Sequence, residues 1–159
     1  MGLLLITRRP VNVARCVEEL GNVLYPYDQG IVFEETPLKG VVVLKTELDP
    51  MEAFRILKSS EYGFVERIVP FQIVVENASI DDIVSKALAL VKPDLKTICL
   101  RIRVRGVRDV SSKIWYLLKR ELLDRGVVVK SDAEYCIYVE SIEKLYGLSL
   151  LKNKEDRVH

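Results

Sequence analysis

Residues 96–113 carry the pattern that most restricts how this chain can fold. The segment reads KTICLRIRVRGVRDVSSK, in which apolar side chains alternate with a cysteine and three arginines. Successive side chains of a β-strand point to opposite faces of the sheet. The alternation therefore predicts a strand with one apolar face, formed by Ile98, Leu100, Ile102 and Val104. The other face of this strand should carry a row of arginines, namely Arg101, Arg103 and Arg105.

The residues after this strand predict the start of a helix over 110–125. Gly106 should end the strand, and Asp109 or Ser111 can cap the helix. A row of guanidinium groups that leads into a helix N-terminus suits phosphate, because arginine offers forked donors and the helix end offers free N–H groups. The alternative is an ordinary solvent-facing strand with surface arginines.

The charge of the chain is concentrated around this segment. The whole chain has 24 basic and 23 acidic side chains, a net charge of +1. Residues 96–130 hold 10 basic and 3 acidic side chains, a net charge of +7, whereas residues 1–95 have a net charge of −4 and residues 131–159 of −2. A concentrated positive segment in a nearly neutral chain indicates a localised anionic partner.

Several classes of chemistry find no support in the sequence. Cys16, Cys99 and Cys136 lie far apart without a C-x-x-C motif, and the single histidine is His159. These spacings argue against a zinc site, a redox dithiol and a histidine-activated nucleophile. The neighbouring acidic pairs, such as Asp81-Asp82, point apart on a helix and do not form a general acid/base pair. We therefore predict no catalytic residue, no metal and no cofactor.

No apolar run reaches the roughly 20 residues of a membrane span. The run Leu3-Leu4-Leu5-Ile6 is short and is followed by arginines, which is the reverse of a signal peptide. We expect a cytoplasmic protein with reduced thiols and no membrane partner.

The first half of the chain, residues 1–76, predicts the order β-α-β-β-α-β. Strands are expected at 3–7, 31–34, 41–45 and 65–75, the last interrupted by Pro70. The first helix should be capped by Asn12, and the second begins at the strong start Asp49-Pro50. This order is that of a ferredoxin-like α+β module.

The second half, residues 77–152, begins with the polar break at 76–78. Ser79-Ile80-Asp81-Asp82 opens an amphipathic helix with a capping-box pattern, the arginine strand follows, and strands are expected at 127–130, 135–140 and 145–150. Residues 153–159 are expected to be a disordered tail. In the helix over 110–125, Tyr116 among basic residues could stack on a base, or simply pack its ring on neighbouring side chains.

The second half resembles a THUMP domain, an RNA-binding module of tRNA-modifying proteins. The resemblance covers roughly residues 77–151 and rests on the order of loose motifs: the capped helix from Ser79, the arginine strand with Gly106, the Ser111-Ser112 helix start, and the closing Tyr146-Gly147-Leu148-Ser149 segment. It implies a mixed sheet with helices. The preceding module looks like the ferredoxin-like partner of such domains, so the expected fold class is α+β in the first half and α/β in the second.

The resemblance also implies a function. The chain carries neither a Gly-rich S-adenosylmethionine loop nor an S-G-G-x-D-S loop, and it is similar in size and layout to the stand-alone tRNA acetylation adaptors. These adaptors help an RNA cytidine acetyltransferase to make N4-acetylcytidine. We therefore expect a non-catalytic protein that binds the acceptor end of tRNA. The alternatives are the RNA-binding subunit of a split methyltransferase or thiolation enzyme, and a protein-interaction module with no role in RNA binding.

The residues predicted to contact RNA combine cations, hydroxyl groups and one aromatic ring. They are Arg101, Arg103, Arg105, Arg108, Ser111, Ser112, Lys113, Tyr116, Lys119 and Arg120. Glutamate at both 103 and 105 is expected to abolish tRNA binding and to leave the fold intact.

Overall fold

The structure, a computed structural model, describes residues 2–8 and 13–158. The predicted helix cap at Asn12 lies outside these residues. The chain divides into two compact units. One unit comprises the described residues of Met1–Phe71 and Asp156–His159, and the other comprises Gln72–Glu155.

The first unit has the element order that its sequence predicts. Its elements are β1 (Gly2–Arg8), α1 (Val13–Leu24), β2 (Val32–Glu35), β3 (Val41–Thr46), α2 (Pro50–Lys58) and β4 (Val65–Pro70). The strands form one sheet in the order β2-β3-β1-β4, in which every neighbouring pair is antiparallel. Helix α2 begins as expected, since the Asp49 carboxylate accepts hydrogen bonds from the backbone N–H groups of Met51 and Glu52.

The second unit contains a mixed sheet with two helices on one face. Its elements are β5 (Ile73–Glu76), α3 (Ile80–Ala89), β6 (Thr97–Arg103), α4 (Val110–Asp124), β7 (Val128–Val129), β8 (Tyr135–Ile142) and β9 (Leu145–Lys152). The strand order is β5-β9-β8-β6-β7. Strand β6 is parallel to β7 and β8, whereas β9 is antiparallel to β5 and β8. The predicted mixed sheet with helices is therefore observed.

These pairings place the starts of α3 and α4 at the same edge of the sheet. Because β9 is antiparallel to both of its neighbours, β5, β6, β7 and β8 all run in one direction. Helix α3 follows β5 and α4 follows β6, so both helices begin near the carboxyl ends of these strands. The helices pack on a core that includes Ile98, Leu100, Ile137, Val139 and Leu148.

Helix α3 begins with the capping box that its sequence predicts. The Ser79 hydroxyl accepts from the N–H of Asp82 at 3.1 Å, and the Asp82 carboxylate accepts from the N–H of Ser79 at 3.2 Å. Both partners lie in four consecutive residues, which is why a local pattern was sufficient to find them.

The boundary between the units differs from the predicted one at residue 76. The strand expected over 65–75 is divided, because β4 ends at Pro70 and β5 belongs to the second sheet. Proline has no N–H with which to continue a ladder. The N–H of Phe71 still bonds to the carbonyl of Leu3, whereas the N–H of Gln72 bonds to that of Leu148, so the chain changes sheets between these two residues.

Residues 153–158, which belong to the tail expected to be disordered, make defined hydrogen bonds in the structure. The Arg67 Nε lies 2.6 Å from the Asp156 Oδ2, and both side chains are nearly buried. The carbonyl of Asp156 accepts from the N–H of Ile68, and the N–H of Val158 bonds to the carbonyl of Glu66. Residues 156–158 therefore lie along β4, where Asp156 supplies a carboxylate to the nearly buried Arg67.

Candidate nucleic-acid interface

The alternation of strand β6 divides its two faces as the sequence predicts. Ile98 and Leu100 are buried in the core of the second unit, and Ile102 and Val104 pack against it. Arg101 and Arg103 have the opposite parity within β6 and point to the other face, whereas Arg105 lies beyond the end of the strand. Strand β6 lies inside the sheet, between β8 and β7, so this strand has neighbours on both sides.

The three arginines of the predicted row have different environments. Arg101 is half-buried, and its Nη2 donates to the Asn153 Oδ1 at 3.3 Å and to the Ser131 carbonyl at 3.4 Å. Arg103, the last residue of β6, is exposed. The row is therefore not a uniform surface of solvent-facing cations.

Arg105 is held by the protein itself. Its Nη1 lies 2.7 Å from the Oε2 of Glu140, whose side chain is 1% exposed. Its backbone N–H also donates to the Ser141 hydroxyl at 2.7 Å. Glutamate at this position would place a second negative charge beside a buried carboxylate, so the expectation that glutamate at position 105 leaves the fold intact is not supported.

Neither predicted cap residue of α4 acts as expected. Asp109 occupies the cap position at φ +64° and ψ −2°, in the left-handed region, and its side chain makes no capping hydrogen bond. The Ser111 hydroxyl instead accepts from the N–H of Val104 at 2.8 Å. Ser111 therefore ties the end of the arginine strand to the first turn of α4.

The outer face of α4 presents most of the predicted contact residues to solvent. Ser112, Lys113, Tyr116, Lys119 and Arg120 are all exposed. Their spacing of three and four residues places them on one side of the helix.

Aromatic contacts order part of this helix face. The ring of Tyr116 makes a T-shaped contact with that of Trp115, with centroids 5.2 Å apart. The Lys119 Nζ lies 5.1 Å from the Trp115 ring, within the range of a cation–π interaction.

The exposed cations of this region form what we call the basic surface. It comprises Arg103, Arg108, Lys113, Lys119 and Arg120. The hydrogen bond from Val104 to Ser111 keeps the strand end, with Arg103, beside the start of α4. Arg101, Arg105 and Ser111, which were predicted to contact RNA with the others, are half-buried and have partners within the protein.

An open groove of about 800 Å³ lies between the first turns of α3 and α4. It is lined by Ser79, Ile80, Asp81, Asp109, Ser112, Lys113, Tyr116 and Leu117. The predicted residues Ser112, Lys113 and Tyr116 are thus brought together, whereas the contribution of α3 was missed. The two helix starts lie side by side because β5 and β6 run in the same direction within the sheet. No local sequence pattern predicts the relative direction of two strands.

Residues 2–8 and 13–158 contain no group of three or more histidine, cysteine, aspartate or glutamate side chains placed to hold a metal ion. No helix among them is long and apolar enough to cross a membrane.

Comparison with known proteins gives likeness at the level of the fold. No protein-family model and no curated protein sequence matches the chain. The structure is similar to that of PH1313 from Pyrococcus horikoshii Ot3, with a TM-score of 0.62, 16% identity and coverage of 96% of this chain and 56% of that one.

Two further solved structures are similar over almost the whole chain. A 4-thiouridine synthetase in complex with RNA and ATP has a TM-score of 0.57 and 12% identity, with 96% of this chain and 42% of that chain covered. TrmN from Thermus thermophilus has a TM-score of 0.57 and 20% identity, with 94% and 45% covered.

This chain therefore spans about half the length of these proteins, or somewhat less. At such low identity the comparison shows likeness of fold alone.

Proposed function

We propose that this chain is a non-catalytic tRNA-binding protein that grips the acceptor end of tRNA and presents it to a separate modifying enzyme. The observation that carries this proposal is the basic surface, in which exposed cations from the end of β6 and from α4 meet beside a helix N-terminus. Phosphate contacts of this kind position RNA and carry little sequence information. The fold likeness to a 4-thiouridine synthetase that was solved with RNA supports the proposal.

The contact residues of this proposal have two roles. Arg103, Arg108, Lys113, Lys119 and Arg120 neutralise phosphates, and Ser112 adds a hydroxyl donor. Arg101, Arg105 and Ser111 hold the strand end and the helix start in place, because their polar groups have partners within the protein.

The first unit is the ferredoxin-like companion of the RNA-binding unit in this proposal. The order β-α-β-β-α-β and the all-antiparallel sheet β2-β3-β1-β4 support this assignment. By resemblance to THUMP proteins, this unit helps to orient the tRNA.

The binding experiment compares two variants with equal changes of charge. In one, Arg103 and Arg108 are changed to glutamate. In the control, Lys86 and Lys92, which are exposed residues of the same unit in and just after α3, are changed to glutamate. Fluorescence anisotropy measures the affinity of each protein for intact tRNA and for tRNA trimmed of its 3′ single-stranded end, at two salt concentrations.

We expect the wild type to bind intact tRNA in a salt-dependent manner and to bind trimmed tRNA more weakly. The Arg103/Arg108 variant should lose at least about tenfold in affinity, and its log–log salt slope should become shallower by about 0.7–0.9 for each phosphate contact removed. Equal losses in the two variants would assign the effect to net charge and overturn the proposed surface. Wild-type binding that does not weaken on trimming would overturn the acceptor-end assignment.

The modification served by the protein is proposed from the resemblance to acetylation adaptors, namely N4-acetylcytidine made by an RNA cytidine acetyltransferase in the cytoplasm. The fold likeness to 4-thiouridine synthetase and to TrmN favours a second candidate, the RNA-binding part of a thiolation or methylation system. Mass spectrometry of tRNA nucleosides from cells that lack the protein separates the two. Loss of N4-acetylcytidine supports the first, and loss of 4-thiouridine or of a methylated nucleoside supports the second.

A further inference from the structure

We propose that the groove between the first turns of α3 and α4 holds an unpaired RNA base that bears an exocyclic amino group. This inference rests on the proposed function, since the RNA must first bind at the basic surface. It adds a selection among bases, which phosphate contacts cannot provide.

The size and lining of the groove suit an aromatic ligand. Its volume of about 800 Å³ lies within the range of small-molecule sites. Ile80 and Leu117 contribute apolar surface, and Tyr116, a residue that is 67% exposed, contributes an aromatic ring. Single-stranded nucleic acids place bases on such exposed rings by stacking.

The charge of the groove selects against phosphate. Its lining holds two carboxylates, Asp81 and Asp109, and one cation, Lys113. The carboxylates repel a phosphate that enters the groove, whereas Lys113 and the rest of the basic surface attract the phosphates of the adjoining nucleotides. The base is therefore expected in the groove and the backbone outside it.

The two carboxylates are available for a ligand. Ser79 and Asp82 make the capping box of α3, so Asp81 is not needed as a cap. Asp109 holds the cap position of α4 in the left-handed region without capping it. Within the part of the chain that the structure describes, neither carboxylate takes part in an ion pair or a side-chain hydrogen bond.

A carboxylate is an acceptor and therefore favours bases that present amino groups. The exocyclic amines of adenine, cytosine and guanine can donate to it, as cytosine does to aspartate and glutamate in DNA complexes. Uracil has no exocyclic amine, and its two carbonyl oxygens flank its only N–H group. The groove should accordingly discriminate against uracil.

The test uses two RNA hairpins whose single-stranded 3′ ends differ only in the amino group. One end carries adenosines, and the other carries purine riboside, which is adenosine without its 6-amino group. We expect wild-type protein to bind the adenosine end about five- to tenfold more tightly, the range of one charge-assisted hydrogen bond in a partly exposed site.

Variants of the groove residues then test whether the groove causes this ratio of affinities for the two hairpins. Asp81→Ala combined with Asp109→Gly should bring the ratio close to one, and glycine tolerates the left-handed backbone at position 109. Asp94→Ala, which removes another exposed carboxylate of the same unit, should leave the ratio unchanged. Tyr116→Ala should weaken the binding of both hairpins, whereas Tyr27→Ala, at an equally solvent-facing tyrosine that is 62% exposed in the first unit, should not.

The outcomes distinguish this inference from the proposed function. Equal and salt-dependent binding of both hairpins by the wild type would overturn the inference and leave the proposed function standing. A ratio that survives the removal of both carboxylates would also overturn it. Absence of binding to either hairpin and to intact tRNA would overturn both.

Discussion

The guanidinium of Arg105 lies 2.7 Å from the carboxylate of Glu140, which is 1% exposed. The two residues lie beyond the end of β6 and on the neighbouring strand β8, and they are 35 positions apart in the sequence. The sequence pattern predicts that Arg105 binds phosphate together with the other arginines of the row. In the structure, Arg105 instead forms an ion pair with a buried carboxylate. This contact assigns Arg105 a structural role in the second unit.

Changing Arg105 to glutamine should lower the free energy of unfolding by about 2–3 kcal/mol, because it removes the cation that lies beside the buried Glu140 carboxylate. Arg105→Glu should cost more, since it adds a second negative charge. Urea unfolding followed by circular dichroism measures the change. The control Arg108→Gln, at an exposed position, should alter stability by less than about 0.5 kcal/mol. An Arg105→Gln protein as stable as the wild type would show that the ion pair contributes nothing.

Changing Asp156 to asparagine should destabilise the first unit by about 3 kcal/mol. The Asp156 and Arg67 side chains are 6% and 10% exposed, so the variant would remove a negative charge that lies beside a nearly buried guanidinium. Thermal unfolding measures the effect. Asp132→Asn, at an exposed aspartate, is the matched control. If residues 156–158 did not lie along β4, the two variants would unfold at the same temperature.

Changing Ser111 to alanine should cost about 1 kcal/mol, because the N–H of Val104 loses its acceptor at the end of the arginine strand. Ser112→Ala, at the neighbouring exposed position, should have little effect on stability. Hydrogen exchange of the Val104 amide is the direct measurement. We expect faster exchange in the Ser111 variant alone, and unchanged protection would argue that the hydroxyl does not hold this amide.

Asp28 should make the stability of the first unit dependent on pH. Hydrogen bonds from the Thr46 hydroxyl at 2.6 Å and from the N–H of Glu47 at 2.9 Å stabilise its carboxylate and lower its pKa below the ordinary value of 3.8. A carboxyl group that binds its proton more weakly in the folded state contributes stability above its unfolded pKa. That contribution is lost as the pH falls through the folded pKa.

A comparison of the wild type with Asp28→Asn tests whether stability is lost in this direction of pH. The wild type should be the more stable protein at about pH 7, and the difference should shrink as the pH falls below about 4. Glu61→Gln, at an exposed carboxylate, provides a reference for general acid effects. A difference between wild type and Asp28→Asn that stays constant from pH 7 to pH 2 would contradict the assignment.

Local patterns predicted much of the fold because the interactions they report span only a few residues. The Ser79 capping box, the Asp49 helix start and the two faces of β6 all depend on neighbours within one turn or along one strand. The failures involve longer distances. The strand expected through residue 75 changes sheets after Phe71, because Gln72 finds its partner in Leu148.

In the candidate site, too, short-range features were predicted from the sequence and long-range ones were not. Sequence reasoning placed Lys113, Tyr116 and Arg120 on the exposed side of α4, and they are exposed in the structure. It did not find Asp81 as part of a groove with Tyr116, since that depends on the relative direction of two strands. Whether these residues bind RNA stays a prediction.

The sequence by itself determined the order of the elements, the starts of α2 and α3, and the concentration of positive charge in residues 96–130. Only the tertiary structure decided which cations face solvent. Arg105 and Arg108 are three positions apart and look alike in the sequence, yet one is paired with a buried carboxylate and the other is exposed. The physical reason is that an ionised carboxylate is stable in the interior only with a partner, and the fold brings Arg105 rather than Arg108 to Glu140.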